Sequence, residues 1–193
     1  MTTPTLLVLA VVVLTPLVWY VASYNRFVSQ RTLIESSWAG VDVELTRRHD
    51  LVPNLVATVQ GYAAHERDVL ETLTRAREAA VPLEGTGPQQ RTAVEDAVGV
   101  AIGTVLARVE AYPELRASEN FLQLQRELAT TEDRIAASRR FFNNNVAAYN
   151  TRVRSVPSNL VAALSKFELH AQFQLRDASV SAVPSIDLDT PPA

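Results

Sequence analysis

Apolar positions recur with helical spacing along almost the whole chain. Thr5 to Ala22 carries no charge at all. Beyond it two rows step by seven: Tyr24, Arg31, Trp38 and Leu45, and Phe27, Ile34, Val41 and Arg48. Such rows are an a/d seam, here interrupted by arginine. Arg47, Arg48, His49 and Asp50 then follow as four consecutive polar groups. They predict a corner: Asp50 caps a new helix with its carboxylate, and Pro53 sits in the first turn, where a missing N–H is tolerated. The second helix is expected from about Leu51 to Ala80, with Leu55, Val59, Tyr62, Glu66, Val69, Leu73, Ala76 and Ala80 on one stripe.

Val81 to Pro88, rich in Pro and Gly, breaks the pattern. Gln89 to Ala111 predicts a third helix with Val94, Val98, Ile102, Val105 and Val109 on one side. Its Gly99 and Gly103 form GxxxG, but the uncharged stretch around them is too short to cross a bilayer, so a weak, mobile helix is expected. After a turn at Tyr112, Pro113 and Glu114, Ser118 is positioned to cap a long fourth helix. Phe121, Leu128, Ile135, Phe142 and Tyr149 step along it by seven, flanked by Gln125, Glu132, Arg139, Val146 and Val153. Asn143, Asn144 and Asn145 are poor helix formers in the middle of it. Pro157 ends it, and Ser158 to Phe167 predicts a short amphipathic helix, packed under the bundle rather than on the bilayer. The small, acidic, Pro-bearing tail predicts disorder.

The fold class expected is all-α: an N-terminal transmembrane helix followed by an antiparallel up-and-down four-helix bundle. The expected boundaries are an anchor at 1–23, the bundle at 24–173 and a disordered tail at 174–193. The uncharged run, counted with its polar flank, reaches roughly the 20 residues a span needs. Trp19 and Tyr20 close it with rings that favour the interface. A cleaved signal peptide would want a basic segment ahead of the run, and no Lys or Arg precedes it. Arg26 and Arg31 lie just after it, and that charge bias puts the C-terminal mass in the cytoplasm and the N-terminus outside.

Charge and composition narrow the chemistry. A net charge of −3 gives no electrostatic case for nucleic acid. The absence of cysteine removes disulfides, thiol catalysis and thiolate metal sites. His49, His65 and His170 are the only histidines, and none has Glu three residues before it, as a di-iron bundle requires. No HExxH, P-loop, GxSxG or Rossmann glycines occur. The chain is expected not to be an enzyme and to use no cofactor and no metal.

Longer stretches carry a resemblance. RRHDLVPNLV followed by GYAAHE, then YPELRASENFLQLQRELATTEDRIAASRRFFNNNVAAYN from Tyr112 to Asn150, then PSNLVAALSKF from Pro157, resemble the LemA family, with Tyr24 and Asn25 leading. His49 and Phe142 depart from it, standing where the family commonly has Tyr. The resemblance implies a bacterial membrane-anchored helical protein with no general reaction. It also implies relatives that act in forming membrane compartments and genes often placed near membrane proteases. The function expected is a non-enzymatic scaffold at the cytoplasmic face of the inner membrane. The alternative is a regulatory subunit or adaptor of a membrane-bound protease or signalling enzyme. Expected partners are the bilayer, a protein partner such as a membrane protease, and a second copy of the chain meeting it through Val146, Val153, Leu164 and Phe167.

Two sets of site residues follow. Arg47, Arg48, His49, Asp50 and Asn54 form an expected docking corner at the tip of the first hairpin. Counting back from a turn near His49, Arg31 lies roughly 27 Å along helix one, level with Glu66, Glu132 and Arg139. These four are expected to form a buried charge layer.

Overall fold

The computed structural model describes residues 3–63 and 65–175, and among these there is no strand. Its first element, α1, is one unbroken helix from Thr3–Gln60, 58 residues and about 87 Å long at helical rise. The chain then turns through 61–66. α2 spans Arg67–Ala80, a 3₁₀ turn follows at Val81–Leu83, and α3 spans Pro88–Val109. A single turn, α4 at Pro113–Arg116, leads into α5 at Glu119–Arg154, then α6 at Ser158–Ser165. Ser118 caps α5 as its position predicts, accepting from the Phe121 N–H.

The predicted corner at His49 does not exist. The tetrad Arg47 to Asp50 lies in mid-helix, and Asp50 caps nothing. Pro53 is an interior proline, which removes a bond to the carbonyl four residues earlier. That carbonyl belongs to His49, and Arg77 of α2 donates its Nε–H to it at 2.8 Å. A side chain from the neighbouring helix thus takes the place of the lost N–H, and α1 continues. It stops only at Gly61, where Tyr62 and Ala63 fold back onto the Val59 carbonyl. The apolar run and the seam belong to the same helix, which passes residue 23 without a break.

α5 runs antiparallel along α1. Phe27 meets Tyr149, Trp38 meets Phe142, Glu44 faces Arg134 and Arg48 reaches Glu132. α2 returns beside the distal part of α1, bringing Arg77 to His49. α3 runs outward again, from Arg91 beside Asp42 to Arg108 beside Glu66. Two apolar clusters result. The distal one joins Leu55 and Val59 with Leu73 of α2, Ile102 and Val105 of α3, and Leu128 of α5. The proximal one joins Phe27, Ile34, Val41 and Leu45 with Phe142, Val146 and Tyr149, and is closed by Val161 and Phe173.

Residues 167–175, after α6, are not helical. They lie as an extended strap along α1 and α5, running away from the apolar start of α1. Phe167 stacks on Phe27, His170 meets Tyr149 edge-on, and Phe173 meets Trp38. Asn150 pairs with both main-chain groups of His170, and Asn143 with both of Phe173, all at 2.8–2.9 Å. The spacing works because seven helical residues and three extended ones both cover about 10 Å. Arg139 adds a rung to the Leu175 carbonyl at 3.1 Å. The mid-helix asparagines thus act as a ladder for a strap that has no strand to pair with. Of the tail expected to be disordered, Gln174 and Leu175 belong to this strap, and 176–193 lie outside the described residues.

Among the described residues one helix is long and apolar enough to cross a membrane, and it is α1. Leu9, Val11, Val12, Val13, Leu14, Leu17, Val18 and Val21 are all exposed, apart from either core.

Candidate functional site

A polar layer separates the two apolar clusters. Its centre is Glu95 on α3, whose side chain has no exposed surface. Arg48 donates Nη2–H to Glu95 Oε2 at 2.6 Å and to the Glu95 carbonyl at 3.0 Å. Arg91, one helical turn before Glu95, donates from Nε and Nη2 to Oε1 at 3.1 and 2.6 Å. His49 Nε2 lies 3.2 Å from Oε2. One carboxylate is thereby held by three basic side chains from two helices.

The outer ring completes the charge balance. Arg91 Nη1 pairs with Asp42 of α1. His49 Nδ1 lies 2.9 Å from Glu84 Oε1, in the loop after the 3₁₀ turn. Arg48 Nη1 reaches Glu132 of α5 at 3.3 Å. Gly85, whose φ of 75° suits glycine, turns that loop and donates its N–H to Asp42. Trp38 fixes the same loop by donating from its indole to the Thr86 carbonyl at 2.9 Å.

Protonation follows from this geometry. Both nitrogens of His49 face carboxylates, and only imidazolium can donate from both. Burial works to lower the His49 pKa, but the hydrogen bonds to Glu95 and Glu84 outweigh it and raise the pKa above 6.5. For Glu95 burial works upward, yet the bond from His49 and the nearby Arg48 and Arg91 pull its pKa down to about 2. Both shifts favour the charged forms, the Glu95 carboxylate and the His49 imidazolium. The layer sets three basic side chains, Arg48, His49 and Arg91, against four carboxylates, Asp42, Glu84, Glu95 and Glu132.

This layer differs from the one expected at Arg31, Glu66, Glu132 and Arg139. Arg31 is on the surface, 59% exposed, and pairs with Glu35 one turn on. Glu66 sits at the far distal end, accepting from the Tyr112 hydroxyl at 3.0 Å, with Arg108 nearby. Arg139 holds the strap. Only Glu132 touches the layer, from its 45%-exposed rim. The expected docking corner divides in the same way. Arg48 and His49 are buried in the layer, whereas Arg47, Asp50 and Asn54 lie exposed along α1. Asp42, Arg77, Glu84, Arg91 and Glu95 went unnoticed. The arginine interrupting the α1 seam, and Arg91 and Glu95 one turn apart in register with Val98 and Ile102, were the available signals. Of the residues expected at a subunit contact, Val146 is buried in the core, Val153 and Phe167 are half-buried against it, and Leu164 is exposed.

The layer opens to solvent on one side. A cavity of about 450 Å³ lies between α3 and α5, with Arg48 and Glu95 at its floor, Gly99, Gly103 and Ala136 in its walls, and Leu175 at one end. A methyl at Gly99 would come 3.6 Å from Arg48 Nη1, whereas one at Gly103 would meet nothing within 4 Å. The GxxxG pair does not mark a close helix crossing. It keeps this mouth wide.

Chemically the layer holds fixed charges against each other. No reacting group is left free in it, and among the described residues no cluster of three His, Asp or Glu has the arrangement of a metal site.

Comparison with known proteins agrees with the motif blocks. The LemA family model matches residues 37–188. Magnetosome protein MamQ of Magnetospirillum gryphiswaldense is 25% identical over 179 residues, covering 80% of this chain and 66% of that protein. Magnetosome protein MamQ 2 of Paramagnetospirillum magneticum is 24% identical over the same extent. Protein LemA of Metamycoplasma hominis is 25% identical over 175 residues, 89% of this chain and 75% of that one. The chain spans just under two thirds of the length of the magnetosome relatives.

Proposed function

We propose, from the premise that this chain belongs to the LemA family, that it is a single-pass, membrane-anchored, non-enzymatic scaffold of the bacterial inner membrane. In this proposal its helical domain stands on the cytoplasmic side. The observation that carries the reading is α1. Its first third is uncharged and apolar, and is exposed from Leu9 to Trp19, and the remainder is the spine on which α2, α3, α5 and α6 pack. α1, α2, α3 and α5 are read as an antiparallel up-and-down four-helix bundle built on that spine. Arg26 and Arg31, just beyond the apolar run, favour the cytoplasm for the domain. The buried ionisable groups are engaged with each other, which suits a rigid support better than a reacting centre. Relatives named as magnetosome proteins make an organising role on a membrane compartment the natural extension.

A second reading is a regulatory subunit of a membrane-bound protease or signalling enzyme. The cavity between α3 and α5 favours it, since a partner's side chain entering there would reach the Arg48–Glu95 pair directly. Crosslinking in intact cells, followed by purification in mild detergent, separates the two. A scaffold is recovered mainly with copies of itself, and a regulator with one partner at fixed ratio. Release of the full chain from membranes by alkaline carbonate would defeat both. A C-terminal tail cleaved by protease added outside intact spheroplasts would reverse the orientation.

A further inference from the structure

We propose that α6 is a second membrane contact, lying on the surface of an anionic bilayer beside the span. The proposal rests on the membrane reading of α1 and adds a distinct surface to it. α6 is fixed at a definite height. Ser165 and the Tyr20 hydroxyl are 2.9 Å apart, and Phe167, two residues past the end of α6, packs on Tyr24 and Phe27. α6 therefore sits where the apolar run of α1 gives way to the polar seam.

Its two faces differ. Val161 and Ala162 are buried in the proximal core, whereas Leu160 and Leu164 are 60% and 75% exposed. Val156, just ahead of the helix, is 81% exposed. Leu160 and Leu164 are one turn apart and share one face of α6, and Val156 adds an exposed apolar side chain at its start. Arg26, Arg154 and Lys166 are exposed at this same end, with Glu168 the acidic group among them. An apolar stripe edged by basic side chains suits acyl chains below and anionic headgroups around it. A protein partner would have to reach the stripe at the height of the headgroups. Lys166 holds the left-handed turn that ends α6, with φ of 55°, and the Phe167 N–H returns to the Ala162 carbonyl. That turn sends the strap away from the bilayer and keeps the stripe clear.

The absence of cysteine makes a direct test possible. The full chain is reconstituted in nanodiscs of phosphatidylcholine with a phosphatidylglycerol fraction. Spin labels are attached singly at Leu164→Cys, at Leu14→Cys in the span and at Val43→Cys on α1 about 30 Å beyond the apolar run, all exposed positions. The expected result is that Leu164, like Leu14, is accessible to oxygen and shielded from a water-soluble nickel chelate, while Val43 is not shielded. Lys166→Glu with Arg154→Glu should reduce the shielding at Leu164 several-fold and leave Leu14 unchanged. If Leu164 is as open to the chelate as Val43 while Leu14 stays in lipid, the proposal fails and the span reading stands. Dipolar broadening between labels at Leu164 would put a second copy on the stripe and also overturn it. If Leu14 itself is open to water, the span reading fails. Shielding at Leu164 would then still support α6 as a surface contact, and its loss would sink both.

Discussion

The two halves of the domain close the same groove in different ways. α1 and α5 lie side by side over most of their length, and a helix pair alone leaves a long apolar furrow. In the distal half α2 and α3 fill it with Leu, Val and Ile, whose ridges interlock. In the proximal half no long helix covers it. Instead α6 and the strap lay rings over it: Phe167 and Phe173 join Phe27, Trp38, Phe142 and Tyr149. A helix satisfies its own backbone, so its neighbours need supply only shape. An extended strap brings unpaired N–H and C=O groups, so its neighbours must supply partners. Asn143 and Asn150 are those partners. The distal half meets its polar demand at one place instead, in the ion layer at its base.

The strongest way to break that comparison is to open the layer. Glu95→Ala would take from Arg48, Arg91 and His49 the one buried carboxylate they share. Removing one partner from a buried pair costs about 3–5 kcal/mol, so the full chain in detergent should melt well below its parent. The loss should be felt first in α2 and α3, seen as faster hydrogen exchange there than in the strap. Equal acceleration in both halves would mean that they unfold as one unit.

Next in size is the response to pH, which should have opposite signs in the two halves. Glu95 is held well below its ordinary value, so its contribution is complete above 4.5 and is lost as pH falls toward 2. At 1.36 kcal/mol per unit this amounts to about 3 kcal/mol. His49 is held above 6.5, so its contribution is complete below 6.5 and is lost as pH rises through its folded value. In the proximal half, burial and the nearby Arg31 push the His170 pKa below 6.5. That contribution is complete above 6.5 and shrinks as pH falls through the lowered value. Raising pH from mildly acidic to alkaline should therefore loosen the distal half and tighten the strap. Histidine ring titrations by NMR, with His49→Gln and His170→Gln for assignment, check both directions. A His49 that titrates below 6.5 would remove the distal half of the argument.

Smaller again is the ladder. Asn150→Ala leaves the His170 N–H and carbonyl without partners, a loss of about 1–3 kcal/mol. Exchange should quicken at His170 and Phe173 with little change in α3. The smallest effect carries the opposite sign. Gly103→Ala meets nothing within 4 Å and should stabilise α3 by up to about 1 kcal/mol. It would also narrow the mouth above the layer, so a raised melting temperature with weaker partner capture would link that mouth to recognition.

Much of this was readable in advance, for definite reasons. The seven-residue rows of α1 and α5 are regular because each faces one partner over many turns, and Ser118 declares its cap by position. The site was misplaced by a single error. Arg-Arg-His-Asp followed by a near proline has the composition of a helix start, and nothing local shows that Arg77 will supply the bond that Pro53 removes. A turn near His49 would set Arg31 opposite Glu132; with the turn at 61–66 the residue at that level is Arg48, seventeen residues or about 25 Å further along. Glu132 meets the layer only from its exposed rim. The strap was unreadable for another reason. Its partners are side-chain amides, and an asparagine in a helix does not announce what it will hold.

The unbroken helix also has a mechanical meaning. Between Val21 and Gln60, α1 runs without a joint for about 60 Å. Once its apolar third is seated in a bilayer, the rest is a lever whose fulcrum lies at the headgroups. Spans lean by about 20° on average, and by more when the bilayer thins. A lean of that size carries the tip at Gly61 sideways by about 20 Å. Bilayer thickness would then be reported far from the lipid, as the position of the turn between α1 and α2.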